Sequence, residues 1–191
     1  MKKNNILLKS LFSLLIIFSL IAIDQLVKIW VVKNMELGES RSVLGNWFFL
    51  HYVENEGMAF GISFGTNIGK LLLSLVRIGV AGFIIYYLFI LIFKKKTEWI
   101  VVVILSLIIV GALGNIIDSL FYGLIWQDTA FFYGRVVDMF YFKLFKIPNG
   151  FPLWGGDYFF PAIFNVADAC TTIGIFAIII WNKKIFIPNK I

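Results

Sequence analysis

Cysteine, histidine and charged residues are all scarce in this chain. The single cysteine, Cys170, excludes an intrachain disulfide and a multi-cysteine metal site. The single histidine, His51, argues against a histidine-rich metal centre. Charged residues fill only 15% of the 191 positions, against about 25% in soluble domains. No serine stands beside a candidate histidine or lysine base, which weakens a serine hydrolase. No internal repeat or low-complexity tract is evident, so residues 1–191 read as one domain.

Apolar residues take up the remainder. At 60% hydrophobic the chain exceeds what a soluble core requires, and its long apolar runs mark an integral membrane protein. Four segments approach the ~20 residues that a crossing helix needs, at about 11–32, 71–93, 99–122 and 163–181. The first follows a basic MKKNN but lacks a clear small-residue cleavage site, so it is expected to remain as an uncleaved span. Lysines set the expected topology. Lys2, Lys3 and Lys9 precede the first span, Lys94, Lys95 and Lys96 join the second to the third, and Lys183, Lys184 and Lys190 follow the fourth. The positive-inside rule makes that side cytoplasmic, with both termini inside. These lysines punctuate apolar segments rather than forming a stripe, so no nucleic-acid partner is expected. Membrane phospholipids are.

The two outer segments, about 33–70 and 123–162, are too structured for simple tethers. RSVLGNWFFLHYVEN has aromatic and β-branched strand content around a Leu-Gly-Asn turn, and GMAFGISFG suits a short strand or a close backbone approach. The second segment is rich in rings favoured at headgroup level. A small β-rich platform on the outer face is the expectation.

Polar residues within the spans concentrate at one depth. Asp24 lies fifteen residues after Lys9 and Asp168 fifteen before Lys183, placing both about 22 Å above the cytoplasmic boundary. Asp118, twenty residues after Glu98, lies about 30 Å up. Arg77 and Lys28 reach similar depths. Asn115 and Asp118 in GNIID share a helix face, with Gly111 and Gly114 permitting close helix approach, and Asn165 and Asp168 in FNVAD repeat the spacing. One such pair alone ordinarily serves as interhelical glue. Lys28, four residues after Asp24, reads as a structural ion pair and snorkelling anchor, Cys170 as packing, and Glu54 and Glu56 as solvated or headgroup-facing. Asn55 offers an amide to a bound chain. Together, ionisable groups at one membrane level mark a relay, an ion path or a catalytic site. No cluster has metal-ligand character, and neither a metal nor another cofactor is expected. Two or three aspartates remain, the material of a pair that shares one proton and activates water.

The blocks DQLVKIW (Asp24 to Trp30), NEGMAFG (Asn55 to Gly61), GALGNIID (Gly111 to Asp118), GRVVDMF (Gly134 to Phe140) and FNVADACTTIG (Phe164 to Gly174), in this order, resemble the lipoprotein signal peptidase family, also called signal peptidase II. The resemblance implies an aspartic endopeptidase of the bacterial cytoplasmic membrane, with its site at the outer face. Its substrates would be prolipoproteins, cut just before a cysteine carrying diacylglyceryl, and globomycin-type cyclic peptides would occupy the substrate position. It implies an all-α membrane fold: four transmembrane helices with a small β-sheet cradle and a short helix on the outer face. The catalytic pair would be Asp138 and Asp168, with Asn55, Asn115, Asp118 and Asn165 lining or orienting the site. The family's pattern has arginine directly after GNxxD, where this chain has Ser119, and Arg135 is the expected substitute. FYGLIWQDTAFFYG and KLFKIPNGFPLWGGDYF predict an enlarged aromatic outer lid, with Asp128 and Asp157 at its surface. The competing readings are a small proton- or ion-coupled transporter using the aspartates as relays, and a scaffold whose aspartates pair with Arg77 and Lys28.

Overall fold

The computed structural model describes residues 2–56, 67–94, 97–150, 156 and 158–186, so GMAFGISFG and Asp157 lie outside the described residues. In chain order the elements are α1 (Lys2–Asn34), β1 (Ser40–Leu44), β2 (Phe48–Asn55), α2 (Asn67–Lys94), α3 (Trp99–Ile117), a π-helical turn (Asp118–Tyr122), α4 (Gly123–Trp126), β3 (Val136–Phe142), β4 (Ile163–Phe164) and α5 (Val166–Phe186). Among the described residues three helices are long and apolar enough to cross a membrane: Asn4–Asn34, Ile68–Phe93 and Trp99–Trp126. Helix α5 is kinked at Trp181, and its apolar part before the kink, Val166–Trp181, falls short of eighteen residues. Its expected start at Ile163 is displaced because Ile163 and Phe164 pair with Tyr141 and Phe140 of β3, leaving Asn165 to begin the helix. The third helix conversely outruns its expected end, since α4 continues it to Trp126. Among the described residues α4 is the one short helix of the outer segments.

Helix α3 is the axis of the bundle. Its apolar stretch is 56% buried, against 11% for the first helix and 22% for the second. Two glycines make this possible. A Cβ at Gly111 would lie 2.6 Å from the Ala167 carbonyl oxygen of α5, and one at Gly114 would lie 2.8 Å from Ala167 Cβ and 2.9 Å from Asp24 Oδ2 of α1. Helices in lipid gain nothing from mutual hydrophobic burial, so close backbone approach and interhelical hydrogen bonds hold them together. Ser13 of α1 and Ser106 of α3 supply one such bond at 2.7 Å. At the opposite end from the sheet, Lys9 Nζ donates to the Thr97 carbonyl, so the start of α1 meets the α2–α3 connection, as an even number of crossings requires.

The strands form one antiparallel sheet in the order β1-β2-β3-β4. The expected hairpin is present, turning at Gly45, whose φ of +50° suits a residue without Cβ. Across β2 and β3, Leu50 opposes Phe140 and Val53 opposes Asp138, so two residues of β2 face one of β3. Such a bulge bends the strand and re-aims nearby side chains, and it lies beside Asp138. A buried cluster of Val31 from α1, Met35 just after it, Tyr52, Tyr122, Val137 and Met139 seats the sheet on the end of α1 and the π-turn that follows α3.

Candidate active site

The N-terminus of α5 organises the site. Asn165 is its cap: its carbonyl accepts the first helical bond from Ala169 at 3.1 Å, and its side-chain Oδ1 accepts from the Asp168 N–H at 2.9 Å. Asp168 Oδ2 in return accepts from the Asn165 N–H at 3.4 Å. FNVAD is therefore a capping box in Asn/Asp form, which explains why a helix of this hydrophobicity begins with two polar residues. A further free N–H of this first turn, that of Ala167, donates to Asp24 Oδ1 of α1 at 2.9 Å. Two carboxylates thus gather at the positive end of the α5 dipole.

Asn115 and Asp118 join this end from α3. The helix changes to π geometry at Asp118, a distortion common at functional sites. Asn115 Nδ2 donates to Asp168 Oδ1 at 2.8 Å, while its Oδ1 accepts from Lys28 Nζ and from Asn165 Nδ2, each at 3.1 Å. Lys28 bridges Asp24 at 2.9 Å and Asp118 at 2.8 Å, with all three side chains fully buried. The expected i,i+4 pair is present, but Lys28 does not snorkel, because a second carboxylate holds it inside the bundle. Asp118 Oδ2 also accepts the Val137 N–H of β3 at 3.1 Å, fixing the strand one residue before Asp138.

Asp138 enters from that strand, 2% exposed. Asn165 Nδ2 donates to its Oδ1 at 2.7 Å and Asn55 Nδ2 to its Oδ2 at 3.1 Å. Burial, and then the negative charge of Asp168, push the Asp138 carboxyl up to about 7, against the pull of its two amide donors and Lys28.

Four aspartates therefore meet, and their partners sort them. Asp24 and Asp118 are neutralised by Lys28 and bound by backbone N–H groups. Asp138 and Asp168 have amide and N–H partners and, among the described residues, no lysine or arginine nitrogen within ion-pair distance. An ion pair keeps a carboxylate charged and inert, whereas amide donors leave it able to exchange a proton.

Other expected residues lie elsewhere. Arg135 pairs with Glu54 at 3.1 Å and Glu56 at 3.5 Å, in a groove also lined by Leu37, Tyr52 and Val53, so its charge is committed away from the aspartates. Those two glutamates are consequently not simply solvated: Tyr52 also donates to Glu54, and Lys70 pairs with Glu56. Asp128 is exposed, as expected of a surface group, and Cys170 is buried and free. Sequence reading did not single out Gln25. Its amide donates to Asp118 at 3.0 Å and Asp24 at 3.1 Å, and its Oε1 accepts from Tyr122 at 3.1 Å. A glutamine in the same apolar run as Asp24 and Lys28 was the available signal.

The sequence profile described as Signal peptidase (SPase) II matches residues 16–183. The chain belongs to the signal peptidase II family. A lipoprotein signal peptidase of Porphyromonas gingivalis is 44% identical over 184 residues, covering 86% of this chain and 80% of that protein. One from Amoebophilus asiaticus is 38% identical over 183 residues, covering 90% and 77%. A solved structure described as a bacterial membrane enzyme, determined by the in meso method at 2.3 Å resolution, matches with a TM-score of 0.64 at 26% identity, covering 94% of this chain and 92% of that one. Signal peptidase II membership accords with the apolar helices and gives no support to the transporter reading.

Proposed function

We propose that the chain is a membrane-embedded aspartic endopeptidase that removes the signal peptide from diacylglyceryl-modified prolipoproteins, cutting just before the lipidated cysteine. The observation that carries this reading is Asn165: it bonds to both Asp138 and Asp168, the two aspartates without a lysine or arginine ion partner among the described residues. The relatives named above are lipoprotein signal peptidases. Asp138 holds the proton and Asp168 carries the negative charge. Asp168 takes a proton from water as its oxygen attacks the scissile carbonyl, and Asp138 donates its proton to the carbonyl oxygen. In the resulting tetrahedral diol one hydroxyl returns its proton to Asp138 as the carbonyl re-forms. Asp168 passes its proton to the departing amide nitrogen, and the C–N bond breaks. Asn55, Asn115 and Asn165 hold the carboxylates in place, and Asp118 holds β3.

The chain works as one domain with four crossings, both termini cytoplasmic and the pair at the outer face of the bacterial cytoplasmic membrane. Helix α5 completes the fourth crossing, with the sheet over its outer end. This location suits the substrate, since each buried methylene of a diacylglyceryl group holds it in the bilayer by about 0.8 kcal/mol. Lipid enters laterally among phospholipids, and water arrives from the outer side. Globomycin-type peptides are expected to compete for the same position. The test is to supply a diacylated prolipoprotein to the purified full-length protein and follow release of the signal peptide. Asp138→Asn and Asp168→Asn each abolish cleavage while preserving the fold; normal turnover by either variant sinks the pair.

A further inference from the structure

Helix α2 is apolar over most of its length, yet it carries Arg77. A guanidinium facing hydrocarbon is costly, and such residues turn toward a partner inside the bundle. Arg77 does so: its Nη1 lies 3.4 Å from Ser119 Oγ, and Ser119 is 4% exposed and donates to the Asn115 carbonyl at 2.9 Å. Asn115 in turn donates its amide to Asp168 at 2.8 Å, so the chain of contacts from Arg77 leads to the Asp168 side of the cluster.

We propose that Arg77 is a positioning residue of the reaction: from α2 it keeps the negative charge of the pair on Asp168, which leaves the proton on Asp138. The inference rests on the aspartic-pair reading and adds a residue to it. Charge balance supplies the reason. Lys28 offsets only one of Asp24 and Asp118, and a pair sharing one proton carries a negative charge of its own. Arg77 brings the second positive charge to this cluster, on the side of Asp168, without occupying either oxygen of the pair. An arginine suits this role because it stays charged at every working pH and presents a planar fork. The guanidinium reaches the position beside the π-turn through space, where Ser119 provides a short side chain and hence room.

The charged and titratable groups around the pair come from every packed element: Asp24 and Lys28 from α1, Arg77 from α2, Asp118 from the π-turn, Asp138 from β3 and Asp168 from α5. Glu54 of β2 is engaged by Tyr52 and Arg135.

The experiment measures kcat/KM against pH for cleavage of a diacylated prolipoprotein by the full-length wild type, Arg77→Lys, Arg77→Gln, and the double variant Arg77→Gln/Ser119→Arg. A nearby cation favours the ionised form of a carboxyl group. Removing it moves the whole bell-shaped profile of Arg77→Gln to higher pH by about one unit, with about a tenfold loss on the acid side. Arg77→Lys keeps the profile in place. The double variant returns the guanidinium from another element and brings the profile back, which a packing role of Arg77 does not predict. An Arg77→Gln profile superimposable on wild type overturns the proposal. Should Arg77→Gln fail to fold, the two cation-retaining variants decide, and a displaced profile in both overturns it. Asp138→Asn is run alongside: its turnover at the wild-type rate overturns the aspartic pair itself, whereas its inactivity with an unmoved Arg77→Gln profile overturns only the role of Arg77.

Discussion

Asn165 and Asp168 cap each other across the first turn of α5, Asp168 N–H to Asn165 Oδ1 at 2.9 Å and Asn165 N–H to Asp168 Oδ2 at 3.4 Å. The same Asn165 reaches Asp138 through its amide at 2.7 Å. One residue therefore begins a helix and links the two proposed catalytic groups, and the roles are separable. Serine caps a helix about as well as asparagine but has no amide to give Asp138. Asn165→Ser is expected to keep its melting temperature within a few degrees while kcat/KM falls at least about tenfold, about 1.4 kcal/mol of lost transition-state stabilisation. Asn165→Ala loses the cap as well, about 1 kcal/mol of stability. Thermal melts beside cleavage rates distinguish the two.

Lys28 is shared by two buried carboxylates, so its removal leaves both uncompensated. Breaking one side of a buried ion pair costs about 3–5 kcal/mol. Lys28→Met is expected to lose that much, and Asp24→Asn/Lys28→Met/Asp118→Asn to recover a large part of it, because amides stay neutral in the same space. Thermal denaturation of the three proteins measures the difference. A triple variant no more stable than Lys28→Met would contradict the charge argument.

Asp138 links stability to pH with a definite sign. Its folded value, about 7, exceeds the ordinary unfolded value near 4, so between these limits the folded chain holds a proton that the unfolded chain has released. Stability from this group is complete below about pH 4 and declines as pH rises toward 7, by about 1.4 kcal/mol per unit. Asp138→Asn removes the carboxyl, so the variant is expected to be inactive yet more stable than wild type at pH 8. The gap should close toward pH 4. Melting temperatures of both proteins across that range provide the check.

Gly114 separates α3 from α1 and α5 by less than a methyl group. A Cβ there meets Ala167 Cβ at 2.8 Å and Asp24 Oδ2 at 2.9 Å. Overpacking of this kind costs about 1–3 kcal/mol. Gly114→Ala is expected to lower both melting temperature and activity, and Gly114→Ala/Ala167→Gly to regain part of each by clearing the first clash. If the second substitution only adds to the loss, Ala167 is not the obstacle.

Much of this protein was legible in the chain itself. Apolar runs, lysine clusters and alternating aromatics are local properties, and they foretold the membrane helices, the shared end of α1 and the α2–α3 connection, and the β1–β2 hairpin. The blocks around GNIID, VVD and FNVAD carried the family, because a motif is also local. What each polar residue does there was not local. Asp24, Asp118, Asp138 and Asp168 are alike in sequence, four aspartates in apolar surroundings. Beyond the local Asp24–Lys28 pair, only packing gave Lys28 to Asp118 and asparagine amides to Asp138 and Asp168. Packing also turned Arg135 toward Glu54 and Glu56, against what its position beside the VVD block suggested, and brought Arg77, already expected at the depth of the aspartates, to Ser119. The boundary of the fourth helix moved for the same reason, since Ile163 and Phe164 found backbone partners in β3. A charge in a low-dielectric interior takes its state from whichever groups lie within a few ångströms, and those groups come from helices and strands far apart in sequence.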